Sequence, residues 1–270
     1  MGAAAHNISD ETFVFGSVGL NAFYPSRKGF DKLIGGFKEV HDKFPNTLLY
    51  LHTQQICPNH PHYDLNRIIA TCGLDPSAVR FSDDYPLFIG YDEPNMRAMY
   101  NGFDCFVLAT RGEGFGIPVI ESQACGTPVI ATDCTSMPEL VSSDMGVLVP
   151  ATPYIGVGYN YQFDINKDDL VRSMEEAVEK LGHKCECSDA QCDGYPWKRI
   201  VSIHARNYDW DHVYAEFWRP FIANIRAEIE SDPLKLFPPH IKILEPIKVN
   251  EVGTAALLWR CEWNGRKGVV

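Results

Sequence analysis

The sequence predicts an α/β fold in which helices cover both faces of a parallel sheet. Between residues 12 and 141, short runs that are almost wholly apolar alternate with segments whose apolar residues recur at helical spacing. Strands that are apolar throughout are typical of parallel sheets buried on both faces, and regular alternation of strand and helix favours the same architecture. A chain of 270 residues with 45% hydrophobic residues is long enough to bury a large core in this way.

The first half of the alternation predicts two strands, each followed by a helix. The strands are residues 12–20 and 48–51, and the helices are residues 29–44 and 63–72. In the first helix the apolar residues lie three or four positions apart, so they share one buried face. Gly73 follows the second helix at the position where glycine commonly ends one.

The second half of the alternation continues the pattern and then weakens after residue 150, where the strand signal fades. The predicted elements are a helix from Glu93-Pro94, a strand at 103–108, a helix at 119–124, a strand at 129–131, and helices at 167–181 and 210–228. We assign residues 12–228 to one domain and residues 229–270 to a C-terminal extension of unknown role.

Charge and hydropathy exclude several classes of partner. The net charge of −11 disfavours nucleic acid, because an acidic surface repels phosphate backbones. No apolar run approaches the roughly 20 residues of a membrane-spanning helix. The first six residues lack the basic and apolar regions of a secretory signal, so we expect a cytoplasmic protein.

The residues most informative about chemistry lie between a predicted strand and a predicted helix, at 111–121. In open α/β sheets, ligands bind at the carboxyl ends of the strands. The glycines in this run allow the backbone to approach a ligand closely, and Pro118 lies where the first helical turn begins. The free N–H groups of that turn suit a phosphate. Glu113 and Glu121, with seven residues between them, can each accept hydrogen bonds from sugar hydroxyls.

This run, together with its continuation, resembles the donor-binding signature of GT-B glycosyltransferases of the retaining family 4 type, also called group 1. The segments that carry the resemblance are Glu113-Gly-Phe-Gly116, Glu121, Thr127-Pro-Val-Ile-Ala-Thr132, Pro138-Glu-Leu-Val141 and Lys28-Gly29. The similarity extends over residues 12–226 and corresponds to the C-terminal, donor-binding domain of such enzymes. It implies a Rossmann-like domain that is one half of a GT-B fold.

The resemblance also implies an activity. The chain is expected to be the donor-binding half of a retaining glycosyltransferase, with hexosyltransferase activity. It would transfer a sugar from a UDP- or GDP-sugar to an acceptor glycan, lipid or other molecule, without a cofactor or divalent metal. The N-terminal half of a GT-B enzyme has no counterpart in the sequence, so a partner half would act in cis or in trans. Whether this half is active without it stays open.

The resemblance further implies roles for individual residues. Glu113, Lys28 and Arg27 would be catalytic, and the donor would be bound by Glu121 and by the run Gly114, Phe115, Gly116 and Ile117. In the family an arginine lies just after the first strand, whereas this sequence has Asn21 there. Arg27, next to Lys28, is the candidate to replace that arginine.

Two other functions compete with this interpretation. One is a non-catalytic module or subunit that binds a nucleotide sugar, and the absent N-terminal half favours it. The other is a nicotinamide-dependent dehydrogenase. Its glycine fingerprint is missing from the first strand–helix turn, which has only Gly16 and Gly19, so we rank it last.

A separate cluster of cysteine and histidine residues comprises His183, Cys185, Cys187 and Cys192. These side chains could bind zinc, form a disulfide, or lie free in a polar loop. The Cys-x-Cys spacing is tighter than in most zinc motifs, so no metal site is predicted.

Overall fold

The structure of the chain is a computed structural model. It describes residues 8–9, 11–22, 26–57, 60–82, 90–144, 146–156, 160–182, 196–231, 242–247, 258–263 and 266–269. The chain divides into two compact units, Met1–Tyr208 and Asp209–Val270. The predicted boundary after residue 228 stays a prediction.

The first unit is built on a six-stranded sheet in which every neighbouring pair of strands is parallel. In spatial order its strands are β5 (Val79–Phe81), β2 (Thr47–His52), β1 (Phe13–Val18), β6 (Cys105–Leu108), β7 (Val129–Thr132) and β8 (Gly146–Val149). The order reverses between β1 and β6. Crossovers of this kind open a crevice at the carboxyl ends of the strands, where α/β proteins bind ligands.

Seven helices accompany the strands in the described part of this unit. They are α1 (Phe30–Lys43), α2 (Leu65–Cys72), α3 (Glu93–Asn101), α4 (Ile117–Ala124), α5 (Met137–Leu140), α6 (Lys167–Leu181) and α7 (Pro196–Ala205). Pro94 and Pro118 lie in the first turns of α3 and α4, where the missing N–H of proline costs nothing.

Helices pack on both faces of the sheet, which confirms the predicted fold class. Alternate residues of β1 point to opposite faces, as in any strand. Phe15 joins a core with Leu33 and Met174 from α1 and α6. Val14 joins a second core with Tyr100 and Val119 from α3 and α4.

The four inner strands of the sheet were predicted, whereas its two edge strands, β5 and β8, and the helix α7 were not. The helix predicted at 63–72 begins at Leu65, because residues 60–64 form a short strand, β4, which pairs with β3 (Ile56–Cys57). The predicted loss of strands after residue 150 is wrong. β9 (Ala151–Ile155) and β10 (Tyr161–Ile165) form an antiparallel hairpin.

The second unit contains a succession of helical turns and a small sheet. The helix predicted at 210–228 is confirmed as one continuous helical run, which comprises α8 (Trp210–Val213), a π-helical turn (Tyr214–Trp218) and α9 (Arg219–Ser231). Three antiparallel strands follow: β11 (Lys242–Ile247), β12 (Leu258–Trp263) and β13 (Arg266–Val269). Among the described residues, none of the helices in either unit is sufficiently long and apolar to traverse a lipid bilayer.

One glycine controls how the start of α1 packs against the sheet. Gly29 precedes α1 with φ +65°, and a Cβ at this position would lie 1.8 Å from the carbonyl oxygen of Ala109. No side chain fits in that space. The close approach of these two backbone segments therefore depends on glycine.

We expect Gly29→Ala to lower the free energy of unfolding by at least about 1–2 kcal/mol, since the left-handed conformation alone carries that penalty for alanine. The measurement is urea denaturation of the full chain. Gly35→Ala is the matched control, because Gly35 lies inside α1 and a Cβ added there would meet no atom within 4 Å. Removing this helical glycine should raise stability by about 0.5–1 kcal/mol. Equal effects of the two substitutions would contradict the packing argument.

Candidate functional site

The loop that carries Arg27 and Lys28 lies against the loop that follows β6, at the carboxyl edge of the sheet. The backbone N–H of Arg111 donates to the carbonyl of Arg27 at 2.8 Å. Together with the close approach at Gly29, this hydrogen bond joins two segments that are about 85 residues apart in sequence.

The two loops also meet through an ion pair. Lys28 Nζ lies 2.6 Å from Glu113 Oε1, and Arg27 Nη1 lies 3.3 Å from Glu113 Oε2. The hydroxyl of Thr110 donates to Glu113 Oε1 at 2.9 Å. The side chains of Lys28 and Glu113 are only 10% and 8% exposed, whereas that of Arg27 is 38% exposed. The site therefore contains two cations facing one buried carboxylate.

These partners determine the ionisation of Glu113. Burial by itself would raise the pKa of Glu113, but the hydrogen bond and charge of Lys28, with Arg27 and Thr110, outweigh burial and lower that pKa below its usual value. Glu113 is accordingly a carboxylate at neutral pH. It can accept hydrogen bonds from a ligand and holds the two cations in place.

Arg111, the first residue of the run at 111–121, also stabilises this region. From the sequence it was assigned no role. Its guanidinium binds both carboxylate oxygens of Asp31, at 3.0 and 2.9 Å, and donates to the carbonyl of Ser26. It also lies 3.6 Å from Asp164 on β10. The burial of this arginine, at 6% side-chain exposure, fits a structural ion pair. The hairpin of β9 and β10 is thereby attached to the site.

The glycine-rich run 112–116 is supported by the loop after β7. The N–H of Glu113 donates to Thr135 Oγ1 at 3.1 Å, and Ser136 Oγ donates to the carbonyl of Phe115 at 2.7 Å. Gly116 has φ +103°, and a Cβ there would lie 2.5 Å from Met137 Cε. The run is thus held in one conformation that requires glycine at 116. The two supporting hydroxyls belong to no motif, so the sequence pattern did not reveal them.

Helix α4 begins directly after this run, so its N-terminus lies beside the loop that carries the ion pair. Pro118 has no N–H and the N–H of Val119 donates to the carbonyl of Gly116 at 2.9 Å, so this end contributes chiefly the positive end of the helix dipole. Phe115 and Ile117 are 47% and 60% exposed at this end. Glu121 lies one turn further along, and the hydroxyl of Tyr100 donates to its Oε2 at 2.7 Å. The N-terminus of α4, two cations and two carboxylates therefore lie along one edge of the sheet.

Asn21 occupies the place of the arginine that the resemblance led us to look for. Its side chain is fully buried, and its amide donates to the carbonyls of Gln54 and Gln55 at 3.1 and 3.5 Å. Asn21 thus ties the loop after β1 to the loop after β2. Arg27 is the residue that brings a second cation to the site.

The cluster of His183, Cys185, Cys187 and Cys192 lies outside the described residues. Within the ranges that the structure describes, no group of three or more histidine, cysteine, aspartate or glutamate side chains is arranged to hold a metal ion.

Comparison with known proteins decides the family. The family model described as "Glycosyl transferases group 1" matches residues 12–154, which is more than half of the chain. The chain belongs to the group 1 glycosyltransferases. The resemblance inferred from the signature is therefore confirmed.

Curated relatives of this chain carry related names. The chain is 23% identical over 203 residues to "Uncharacterized glycosyltransferase 335" of Sulfolobus islandicus rod-shaped virus 1, with 74% of the chain and 54% of the relative covered. It is 39% identical over 71 residues to the lipopolysaccharide core biosynthesis mannosyltransferase LpsB of Rhizobium meliloti, covering 25% of the chain and 20% of the relative. The chain thus spans about half the length of the first relative and a fifth of the second.

Solved structures show the same fold. The pneumococcal O-GlcNAc transferase GtfA, in complex with UDP and GlcNAc, aligns with a TM-score of 0.54 and 15% identity over 80% of this chain and 36% of that protein. Anabaena HepE, in complex with UDP and glucose, aligns with a TM-score of 0.55 and 17% identity over 79% of this chain and 49% of that protein. At these identities the likeness shows the GT-B fold alone.

We expect Glu113→Gln to lower the free energy of unfolding by about 1–3 kcal/mol at pH 7, because it leaves a buried lysine without its carboxylate. Since folding lowers the pKa of Glu113, its stabilising contribution is present above the unfolded pKa of about 4.3 and is lost as the pH falls through the folded pKa. The difference in stability between the two proteins should therefore shrink below about pH 4.3, as urea denaturation across pH 3–7 can measure.

Glu176→Gln is the control for this experiment. Glu176 also pairs with a lysine, Lys180, but on the exposed surface of α6. Exposed pairs contribute little to stability, so this substitution should have a small effect at every pH. Parallel behaviour of the two variants would refute the role of burial at Glu113.

Proposed function

We propose that this chain is the donor-binding half of a retaining glycosyltransferase that transfers a hexose from UDP- or GDP-sugar to an acceptor glycan, lipid or other molecule. The observation that carries the proposal is the ion pair between Lys28 and Glu113, with Arg27 beside it, next to the N-terminus of α4. Two cations beside a helix N-terminus form a place where the negative charges of a diphosphate would be bound favourably. Carboxylates at the same edge suit sugar hydroxyls.

Lys28 and Arg27 would stabilise the departing nucleoside diphosphate. As the bond between the sugar C1 and the phosphate oxygen breaks, its electron pair moves to that oxygen and negative charge develops there. Preorganised cations aimed at this charge lower the barrier by electrostatic stabilisation. Arg27 is held by the carbonyl of Gly112, at 2.6 Å, and by Glu113, but its half-exposed guanidinium would be open to a ligand, while Lys28 lies buried against Glu113.

Glu113 and the backbone of Gly114, Phe115, Gly116 and Ile117 would hold the donor sugar and the distal phosphate. Glu121 would accept hydrogen bonds from the ribose hydroxyls of the nucleotide. The acceptor hydroxyl oxygen would then bond to C1 on the face from which the diphosphate leaves, and its proton would pass to the departing phosphate oxygen, so that the configuration at C1 is retained. In this proposal no divalent metal takes part.

The activity would need a second GT-B half, in cis or in trans, to hold the acceptor. The chain spans only about half the length of its first curated relative, which supports this requirement. One of the structural neighbours is described as a GtfA/B complex, so an assembly of two chains occurs among proteins of this fold. A cytoplasmic location stays a prediction.

The partial length also favours a second candidate function, a non-catalytic module or subunit that binds a nucleotide sugar. Both functions require the donor site. They differ in whether the chain, once combined with an acceptor half, transfers the sugar.

The donor site is tested by calorimetric titration of the full chain with UDP, GDP, ADP and NAD in the absence of metal. We expect micromolar affinity for UDP or GDP, about −8 kcal/mol of binding free energy, and none for NAD. Binding of NAD alone would favour a dehydrogenase instead. Absence of binding to every nucleotide would contradict a working donor site in this chain.

We further expect Glu121→Ala to weaken binding of the preferred nucleoside diphosphate by roughly 10- to 150-fold, because a charge-assisted contact to the ribose is lost. Titration of the folded variant measures the effect. Glu176→Ala, on the exposed surface of α6, should leave the dissociation constant unchanged. An unchanged dissociation constant in Glu121→Ala would remove Glu121 from the proposed site.

A further inference from the structure

Glu121 is contacted by a buried tyrosine from the neighbouring helix. Tyr100 lies in the last turn of α3 and is 1% exposed. Its hydroxyl donates to Glu121 Oε2 at 2.7 Å. In the part of the chain that the structure describes, no other side chain donates a hydrogen bond to Glu121. Among the described residues the protein therefore holds one acceptor position of Oε2, and Oε1 together with the second lone pair of Oε2 can accept from a ligand.

The tyrosine itself is held from three sides. Its ring meets the rings of Phe103 and Phe106 edge-on, each with a centroid separation of 5.9 Å. Its backbone carbonyl accepts a hydrogen bond from Thr127 Oγ1 at 2.9 Å. Thr127 lies three residues beyond the end of α4, so the segment that carries Glu121 is connected to α3 at both the backbone and the side chain of Tyr100. The position of the hydroxyl is accordingly fixed.

The direction of the hydrogen bond is fixed as well. Burial, and then the charge of Glu121, raise the pKa of Tyr100 far above its ordinary value. The phenol therefore keeps its proton at neutral pH and donates to Glu121.

We propose that Tyr100 is a positioning residue that orients Glu121 towards the ribose diol and makes the site selective for ribonucleotides over 2′-deoxyribonucleotides. This inference rests on the proposed role of Glu121 in binding the nucleotide. A half-buried glutamate without a partner samples several rotamers, and a ligand must order it on binding. The hydrogen bond from Tyr100 orders it beforehand, which favours a ligand with two adjacent hydroxyls at this point.

The test uses the full chain, with UDP and GDP compared with 2′-deoxy-UDP and 2′-deoxy-GDP by calorimetry. In the natural protein, loss of the 2′-hydroxyl should weaken binding of the preferred nucleotide by about 10-fold or more. Tyr100→Phe removes one oxygen and keeps the packed ring. It should weaken binding of the ribonucleotide about 3- to 10-fold and bring the ribo-to-deoxy preference close to unity.

A double-mutant comparison separates positioning from general support of the fold. If Tyr100 acts through Glu121, Tyr100→Phe should cause no further loss in a Glu121→Ala background. Tyr154→Phe is the matched control, because it removes a hydroxyl that donates to Gln162 in the hairpin at 2.7 Å. It should change neither the affinity nor the preference.

Two results would overturn the inference alone: an unchanged preference in Tyr100→Phe, or equal losses for ribo- and deoxynucleotides that add to those of Glu121→Ala. Failure of the natural protein to bind any nucleoside diphosphate is a different result. It would overturn the proposed function and this inference together.

Discussion

The candidate site depends on one close approach between two backbone segments. Gly29 lies so near the end of β6 that a single added carbon would overlap the carbonyl of Ala109. This contact brings Lys28 within 2.6 Å of Glu113 and allows Arg27 to reach the same carboxylate. The loop that carries Arg27 and Lys28 and the glycine-rich run can therefore form one site, because the missing side chain of Gly29 lets the two backbone segments approach each other closely. The start of α1 and the ion pair between Lys28 and Glu113 both depend on this close approach at Gly29.

The electrostatics of the site are local and oppose the charge of the whole chain. With a net charge of −11, the protein as a whole repels an anionic ligand. At the site, however, the positive charges of Arg27 and Lys28 face the single negative charge of Glu113. Arg111 is neutralised by Asp31 behind them and serves the structure of the loop. Binding of a diphosphate would thus rely on short-range contacts in a partly buried place, where screening by salt is weak.

The elements that the sequence failed to predict share a physical origin. The four inner parallel strands are apolar and buried, and the sequence located them. The edge strands β5 and β8 are short and partly exposed, and they were missed. The hairpin of β9 and β10 was missed because its strands are short and mostly exposed, and because Pro153 lies within the first of them. Its attachment to the site, through Asp164 and the carbonyl of Arg111, is made by contacts that leave no pattern in the sequence. The helical run predicted at 210–228 was found, but local periodicity did not indicate the π-helical turn within it.

Local patterns along the chain were enough to establish the fold class, the family and the positions of both signature glutamates. Periodicity and short motifs involve only residues that are close together in the chain, so the sequence alone is enough to recognise them. The partners became known only from the folded chain: Lys28 with Glu113, Tyr100 with Glu121, and Asn21 in a structural position in place of the expected arginine. These pairs are separated by 21 to 85 residues, so they come into contact only when the sheet brings its strand ends to one edge.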